Sequence, residues 1–140
     1  MRKIFVSTTT FSQYSIEPIQ LLKSEGYDVV YNQLGRKLTE EEIKNDITDY
    51  DGILAGTETY SASVLKEAKG LKVISRLGVG LDNIDLDFAK KRNIKIYKTQ
   101  TTPAPAVAEL TLGLMLDLLR KISEQNHQLK NGIWKKQMGS

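Results

Sequence analysis

The stretch GILAGTETYSASVLKEAKGLKVISRLGVG, residues 52–80, contains one complete strand–helix–strand unit. Gly52-Ile53-Leu54-Ala55 and Lys72-Val73-Ile74-Ser75 are short, apolar and partly β-branched, the pattern of strands covered on both faces. Between them Ser61 can cap a helix carrying Val64, Leu65 and Ala68. Two such strands joined by a helix form a parallel pair with a right-handed crossover. The rhythm continues in both directions. Upstream, Lys3–Val6 and Asp28–Tyr31 predict two more strands around a helix through Ile16, Ile19, Leu21 and Leu22, which Gly26 ends. Thr39 and Glu42 have the spacing of a capping box, so a helix through Ile43 and Ile47 precedes Tyr50-Asp51. Downstream, Asp85 can cap a helix with Leu86, Phe88 and Ala89, and Ile94–Tyr97 predicts a fifth strand. Strict alternation implies an α/β fold: a doubly wound, parallel, five-stranded sheet in the flavodoxin-like size class.

The rhythm breaks after Tyr97. Thr102 can cap a helix whose first turn tolerates Pro103 and Pro105, because those amide donors would have no intrahelical partner. From Ala106 to Leu119 only Glu109, Thr111 and Asp117 are polar, so this long helix is apolar almost all the way round. It is too short for a bilayer, which needs about 20 apolar residues. Such a helix demands cover on several sides. Two parts are therefore expected, a sheet domain over residues 1–98 and an arm over residues 99–140. Charge divides near the same place. Residues 1–89 carry ten Lys/Arg against fourteen Asp/Glu, and residues 90–140 carry ten against three, nets of −4 and +7.

Composition narrows the chemistry. The chain has 140 residues, no cysteine and one histidine. A disulfide framework, a thiol nucleophile and a cysteine-based zinc site are excluded, and His127 alone makes neither a metal cluster nor a Ser-His triad. A net charge of +3 is too mild to argue for nucleic acid, and Tyr14, Tyr60 and Tyr97 show no stacking pattern for single strands. The polar run Ser7-Thr8-Thr9-Thr10 interrupts any signal-peptide core after Met1–Val6, so a soluble cytoplasmic protein is expected. His127 and Trp134 read as a solvated side chain and a helix-end anchor.

Two loops carry the candidate chemistry, both at carboxyl ends of strands, where ligands of open α/β sheets bind. In Ser75–Asp85, Gly78 and Gly80 bracket Val79, and consecutive amides without side chains in the way can face one anion. A tight turn entering the Asp85-capped helix would use the same glycines. A dinucleotide fingerprint would need glycine where Asn83 stands. In Ala55–Thr59, Gly56 and the Thr57 hydroxyl can line the same crevice. A phosphoacceptor receiver needs acidic residues ending the first and third strands, and Ser7-Thr8 and Ala55-Gly56 stand there instead.

Taken in order, Leu71–Asp85 (LKVISRLGVGLDNID), Ala106–Thr111 (AVAELT) and Gly132-Ile133-Trp134 resemble the D-isomer-specific 2-hydroxyacid dehydrogenases, above all their phosphoglycerate dehydrogenase-like branch. The resemblance covers nearly the whole chain. It implies two domains facing each other across a cleft, of which this chain is the substrate-binding one. The implied substrate-binding residues are Gly56, Thr57, Arg76, Gly78, Val79 and Gly80, with a 2-hydroxy or 2-keto acid held by its carboxylate on the Gly78–Gly80 amides. Val79 and Val107 are the implied cofactor-side contacts, and the cofactor is NAD. The Pro105–Leu119 helix is expected to support a homodimer, and Gly132–Ser140 matches the stretch before the NAD domain's first strand. The family's G-x-G-x-x-G fingerprint and its catalytic Arg, Glu and His belong downstream of residue 140. No catalytic or metal-binding residue is therefore expected in this chain, and the fragment alone is expected to be inactive. Two positions depart from relatives. Pro103 stands where many carry asparagine, and Ala55 where phosphoglycerate enzymes often carry an arginine suited to a phosphate. The implied substrate is thus a 3-phosphoglycerate-like or related acid. A free-standing flavodoxin-like interaction or regulatory module is the alternative, separable by whether a strand and G-x-G-x-x-G follow Ser140.

Overall fold

Lys3–Val6 forms strand β1, and its apolar residues Ile4, Phe5 and Val6 are all buried. The remaining elements of the sheet domain follow in strict alternation: α1 (Glu17–Ser24), β2 (Asp28–Tyr31), α2 (Glu40–Asp46), β3 (Gly52–Ala55), α3 (Ala62–Glu67), β4 (Val73–Arg76), α4 (Leu86–Lys91) and β5 (Lys95–Lys98). A short 3-10 turn, Ile47–Asp49, extends α2. Helices α5 (Ala104–Arg120) and α6 (Ile122–Lys130) complete the chain. This computed structural model describes residues 2–138. Gly139 and Ser140, the last two residues of the predicted pre-NAD-domain stretch, lie outside the described residues.

All five strands are parallel, in the order β2-β1-β3-β4-β5, the predicted flavodoxin-like arrangement. Right-handed crossovers place α1 on one face of the sheet and α2, α3 and α4 on the other. The second face holds the core. Phe5, Ile53, Ala55 and Ile74 from the strands join Ile43, Ile47, Val64, Leu65 and Ala89 from the helices in one buried cluster. Phe5 and Tyr50 stack with ring centroids 4.9 Å apart. Covering each of the large side chains contributes about 1.5–3 kcal/mol, so this face supplies most of the domain's hydrophobic stabilisation.

Local signals set the helix starts. Thr39 Oγ1 accepts from the Glu42 N–H while the Glu42 carboxylate accepts from the Thr39 N–H, the complete capping box. Arg36 also grips Glu42 through both guanidinium nitrogens, which with the Thr39 N–H holds the Glu42 carboxyl down at about 2. Ser61 accepts from the Val64 N–H and Asp85 from the Phe88 N–H, as the sequence predicts. Strands β4 and β5 each start one residue later than predicted. Pairing sets their ends, because Arg76 lies in register with Ala55 on one side and Lys98 on the other.

The chain divides into two compact units, Met1–Thr101 and Thr102–Ser140, each described by itself. In the second unit the cap of α5 is Pro103, whose backbone turns into the helix without a side-chain bond, while Thr102 Oγ1 accepts from the Ala104 N–H. At Lys121 the backbone enters the left-handed region (φ 54°) and α5 gives way to α6. Asp117 spans that break, accepting from the Ser123 N–H at 2.6 Å and hydroxyl at 2.7 Å, which lowers its carboxyl from the ordinary range. Neither helix buries a residue within the unit, so the cover demanded by the apolar run is not supplied there. His127 is exposed as predicted. Trp134 does not anchor a helix end. It follows α6 in a stretch without regular secondary structure and is 87% exposed. Among the described residues no helix is long and apolar enough to cross a membrane.

Candidate functional site

Parallel register brings three carboxyl ends together. Leu54 pairs with Val6 and Ala55 with Arg76, so the segments after β1, β3 and β4 leave the sheet side by side. Backbone bonds carry the pairing past the strands: the Ser7 N–H donates to Leu54 O at 3.1 Å and the Leu77 N–H to Ala55 O at 2.7 Å. The sequence-predicted residues Gly56, Thr57, Arg76, Gly78, Val79 and Gly80 therefore share one edge of the first unit. Val107 belongs to the second unit, on an exposed face of α5.

The loop after β3 is saturated by its own side chains. Glu58 is 3% exposed, and its Oε2 accepts from the Gly56 N–H at 2.8 Å and from Ser7 Oγ at 3.0 Å. Tyr60 donates its hydroxyl to Ser7 Oγ at 2.8 Å. Burial, reinforced by the nearby Glu58 charge, raises the Tyr60 phenol above its ordinary range and keeps that proton in place. Asn83 Nδ2 donates to the main-chain oxygens of Gly56 and Glu58, and Tyr60 forms a parallel bridge with Ile84. The loops after β3 and β4 are thus one braced body. Close approach explains the glycine at position 56: a Cβ there would fall 2.9 Å from Thr8 and 3.1 Å from Glu58 Oε2.

The loop after β4 keeps free donors. Gly78 adopts φ +144°, and a Cβ there would overlap the Arg76 guanidinium, 1.2 Å from Nη1. The Gly78 N–H is held by Thr99 Oγ1 at 3.0 Å and by Arg76 O at 3.0 Å. Among the described residues the Val79 and Gly80 N–H groups donate to no protein acceptor, and Gly80 is exposed. Arg76 Nε is buried without a partner, and Arg76 forms no salt bridge among the described residues. Beside it opens a cavity of about 210 Å³ lined by Phe11, Leu54, Leu77, Lys98 and Thr99. Two amides without a protein acceptor among the described residues, a guanidinium and a lysine suit a carboxylate, with the Asp82 carboxylate the acid nearest to Gly80, 3.1 Å from where a Cβ would stand.

The same residues do not suit a dinucleotide. Where that fingerprint needs a third glycine, Asn83 staples two loops with its side chain. Among the described residues no group of three His, Asp or Glu is placed to hold a metal ion. Sequence reasoning missed Ser7, Glu58, Tyr60, Asn83 and Thr99. Asn83 and Thr99 had no local signal, while the Ser7-Thr8 end of β1 lay at the right edge to be noticed.

A profile of the D-isomer specific 2-hydroxyacid dehydrogenase catalytic domain matches residues 4–134. The chain is 34% identical over 131 residues to the hydroxypyruvate reductase of Thermotoga maritima, covering 89% of this chain and 43% of that protein. It is 40% identical over 98 residues to the D-3-phosphoglycerate dehydrogenase of Methanocaldococcus jannaschii, covering 69% of this chain and 19% of that one. Among solved structures it is similar to the NAD+-bound 3-phosphoglycerate dehydrogenase of Entamoeba histolytica, with 27% identity and a TM-score of 0.74 over 99% of this chain and 42% of that one. The chain spans less than half the length of each of these proteins. With nearly all of its residues inside the match, the chain belongs to the D-isomer specific 2-hydroxyacid dehydrogenase family, as the family's substrate-binding (catalytic) domain.

Proposed function

We propose that this chain is the substrate-binding part of an NAD-dependent oxidoreductase that interconverts a D-2-hydroxy acid and a 2-keto acid. The observation that carries the reading is the pair of unengaged N–H groups at Val79 and Gly80, beside Arg76 at the carboxyl end of β4. The acid's carboxylate sits on those amides, Arg76 balances its charge, and Gly56 and Thr57 flank the crevice. Holding the acid in one orientation is this domain's contribution, because orientation removes much of the entropic barrier to reaction. NAD, when bound by the remainder of the protein, accepts or delivers the hydride. Val79 and Val107 are the residues of this chain assigned to its nicotinamide side. The exposed apolar face of α5 within Pro105–Leu119 is assigned to a homodimer.

Gly80→Val tests the cradle. A Cβ at Gly80 meets only Asp82 Oδ2, at 3.1 Å, so the variant keeps the fold while its side chain blocks the amides. In the whole enzyme kcat/KM for the acid should fall about ten- to a hundredfold, the worth of one or two charge-assisted hydrogen bonds. Arg76→Ala should weaken acid binding in the same direction. Unchanged kinetics in Gly80→Val would sink the assignment. The 140-residue chain mixed with a 2-keto acid and NADH should show no turnover.

A further inference from the structure

The strand order β2-β1-β3-β4-β5 reverses its direction of travel at β1, so the gap between the carboxyl ends of β1 and β3 is the topological switch point. In open parallel sheets that gap is where a ligand binds. Here it is filled from within. The Glu58 carboxyl stands in it, 3% exposed, taking one donor from each flanking strand end: Ser7 Oγ after β1 and the Gly56 N–H after β3. These are the donors an anionic group of a ligand would use. The Tyr60 hydroxyl donates to Ser7 Oγ, whose own proton faces the Glu58 carboxyl at 3.0 Å and the Leu54 carbonyl at 3.3 Å. No cation offsets the charge, since the salt bridges among the described residues are Arg36–Glu42 and Lys72–Asp51. Asn83 clamps the main chain on both sides, at Gly56 O and Glu58 O. One strand further along the same edge, the Val79 and Gly80 amides meet no acceptor among the described residues, and there Arg76 forms no salt bridge and leaves its Nε without a partner.

We propose that Glu58 is a built-in anion at the switch point and a specificity-determining residue. It confines substrates to acids with a single anionic group, seated at Val79–Gly80, and turns away acids carrying a second, phosphate-like group. This rests on the reading of the Val79–Gly80 loop as the carboxylate cradle. The physical cause is twofold. The donors at the switch point are already used, and a buried negative charge without a counter-ion repels a second anion where water screens least.

Two measurements test it. Inorganic phosphate titrated into the 15N-labelled chain should move the Val79 and Gly80 amide resonances and leave Gly56 in place. In Glu58→Ala, which removes the acceptor, the Gly56 amide should respond as well, with the Ile43 and Ile74 methyl resonances reporting that the core is intact. Movement of Gly56 together with Val79 and Gly80 in the wild type overturns the proposal. In the whole enzyme, the ratio of kcat/KM for hydroxypyruvate to that for its 3-phosphate ester should fall about tenfold or more in Glu58→Gln, with the change carried by KM. An unchanged ratio in folded Glu58→Gln also overturns it. A wild-type enzyme that turns over neither acid rejects the dehydrogenase reading instead, and the phosphate titration then decides the role of Glu58 by itself.

Discussion

The two units use similar side chains to opposite ends. In the first, Ile43, Ile47, Ile53, Leu65 and Ile74 are almost wholly buried. In the second, Leu110, Leu112, Leu114 and Leu116 remain 55–63% exposed and Leu118 reaches 79%. Hydrophobicity alone does not decide the outcome. A helix between parallel strands is carried back across the sheet by its own connections, so α2, α3 and α4 meet an apolar surface by construction. Helix α5 closes no such crossover, and its unit offers it only α6. An apolar residue states a demand for cover, and chain topology determines where that demand can be met.

The largest effect expected from this difference comes from truncating one aliphatic residue in each unit. Ile74→Ala should cost the first unit about 2–5 kcal/mol in urea denaturation, because a closed core cannot collapse around the hole. Leu114→Ala should leave that transition within about 0.5 kcal/mol. Equal costs would show that the contrast between the units is false. Next in size is association through α5. The pair Leu112→Asp and Leu116→Asp should raise the dimer dissociation constant by roughly a hundredfold or more, at about 1.5–3 kcal/mol for each buried leucine removed. Sedimentation velocity reads this directly, and a wild type that is already a monodisperse monomer at tens of micromolar (roughly the upper end of ordinary dimer constants) would remove α5 from any interface.

A smaller pair of experiments concerns the caps. Thr39→Ala should lower the stability of the whole first unit by about 1 kcal/mol, since α2 is packed through Ile43. Asp117→Ala should fray α6 locally, seen as faster amide exchange at Ser123–Gln125, with no shift in the first unit's unfolding. The least effect is the pH dependence of the same two carboxylates. Both are held below their ordinary range in the folded chain, so the stability they add is present above the unfolded value and is lost on acidification. For Glu42 that loss runs from about 4.5 down to about 2. Glu42→Gln should flatten the melting temperature over that interval, whereas Asp117→Asn should alter only the helicity of the second unit.

Much of the first unit was legible because its signals are local. Thr39, Ser61 and Asp85 announce their helices within three residues, and short apolar runs mark each strand. The loop proposed as the cradle is marked by a local signal too, since Gly78-Val79-Gly80 stands at a strand end, although the Gly78 amide is taken by Thr99, 21 positions later. The braced half is not. Glu58 sits in Ala55–Thr59, a segment as polar as any surface loop, and its burial depends on Ser7, 51 positions earlier. In the sequence Asn83 only spoils a glycine fingerprint, whereas in the fold its amide ties together loops more than twenty residues apart. Such cross-loop bonds leave no periodic trace in a sequence.

The Tyr60–Ser7–Glu58 brace also has a consequence in time. Its hydroxyl and carboxyl partners come from positions separated by 51 and 53 residues, and they meet only after β3 has docked against β1. Closing so long a loop has to precede any reward from the bonds themselves, which makes such contacts late events in folding. Helices with local caps can form and fray many times before this edge of the sheet exists. A nascent chain released before β3 has paired would hold most of its secondary structure with the crevice still unassembled, so the ability to take an acid would be among the last properties the domain acquires.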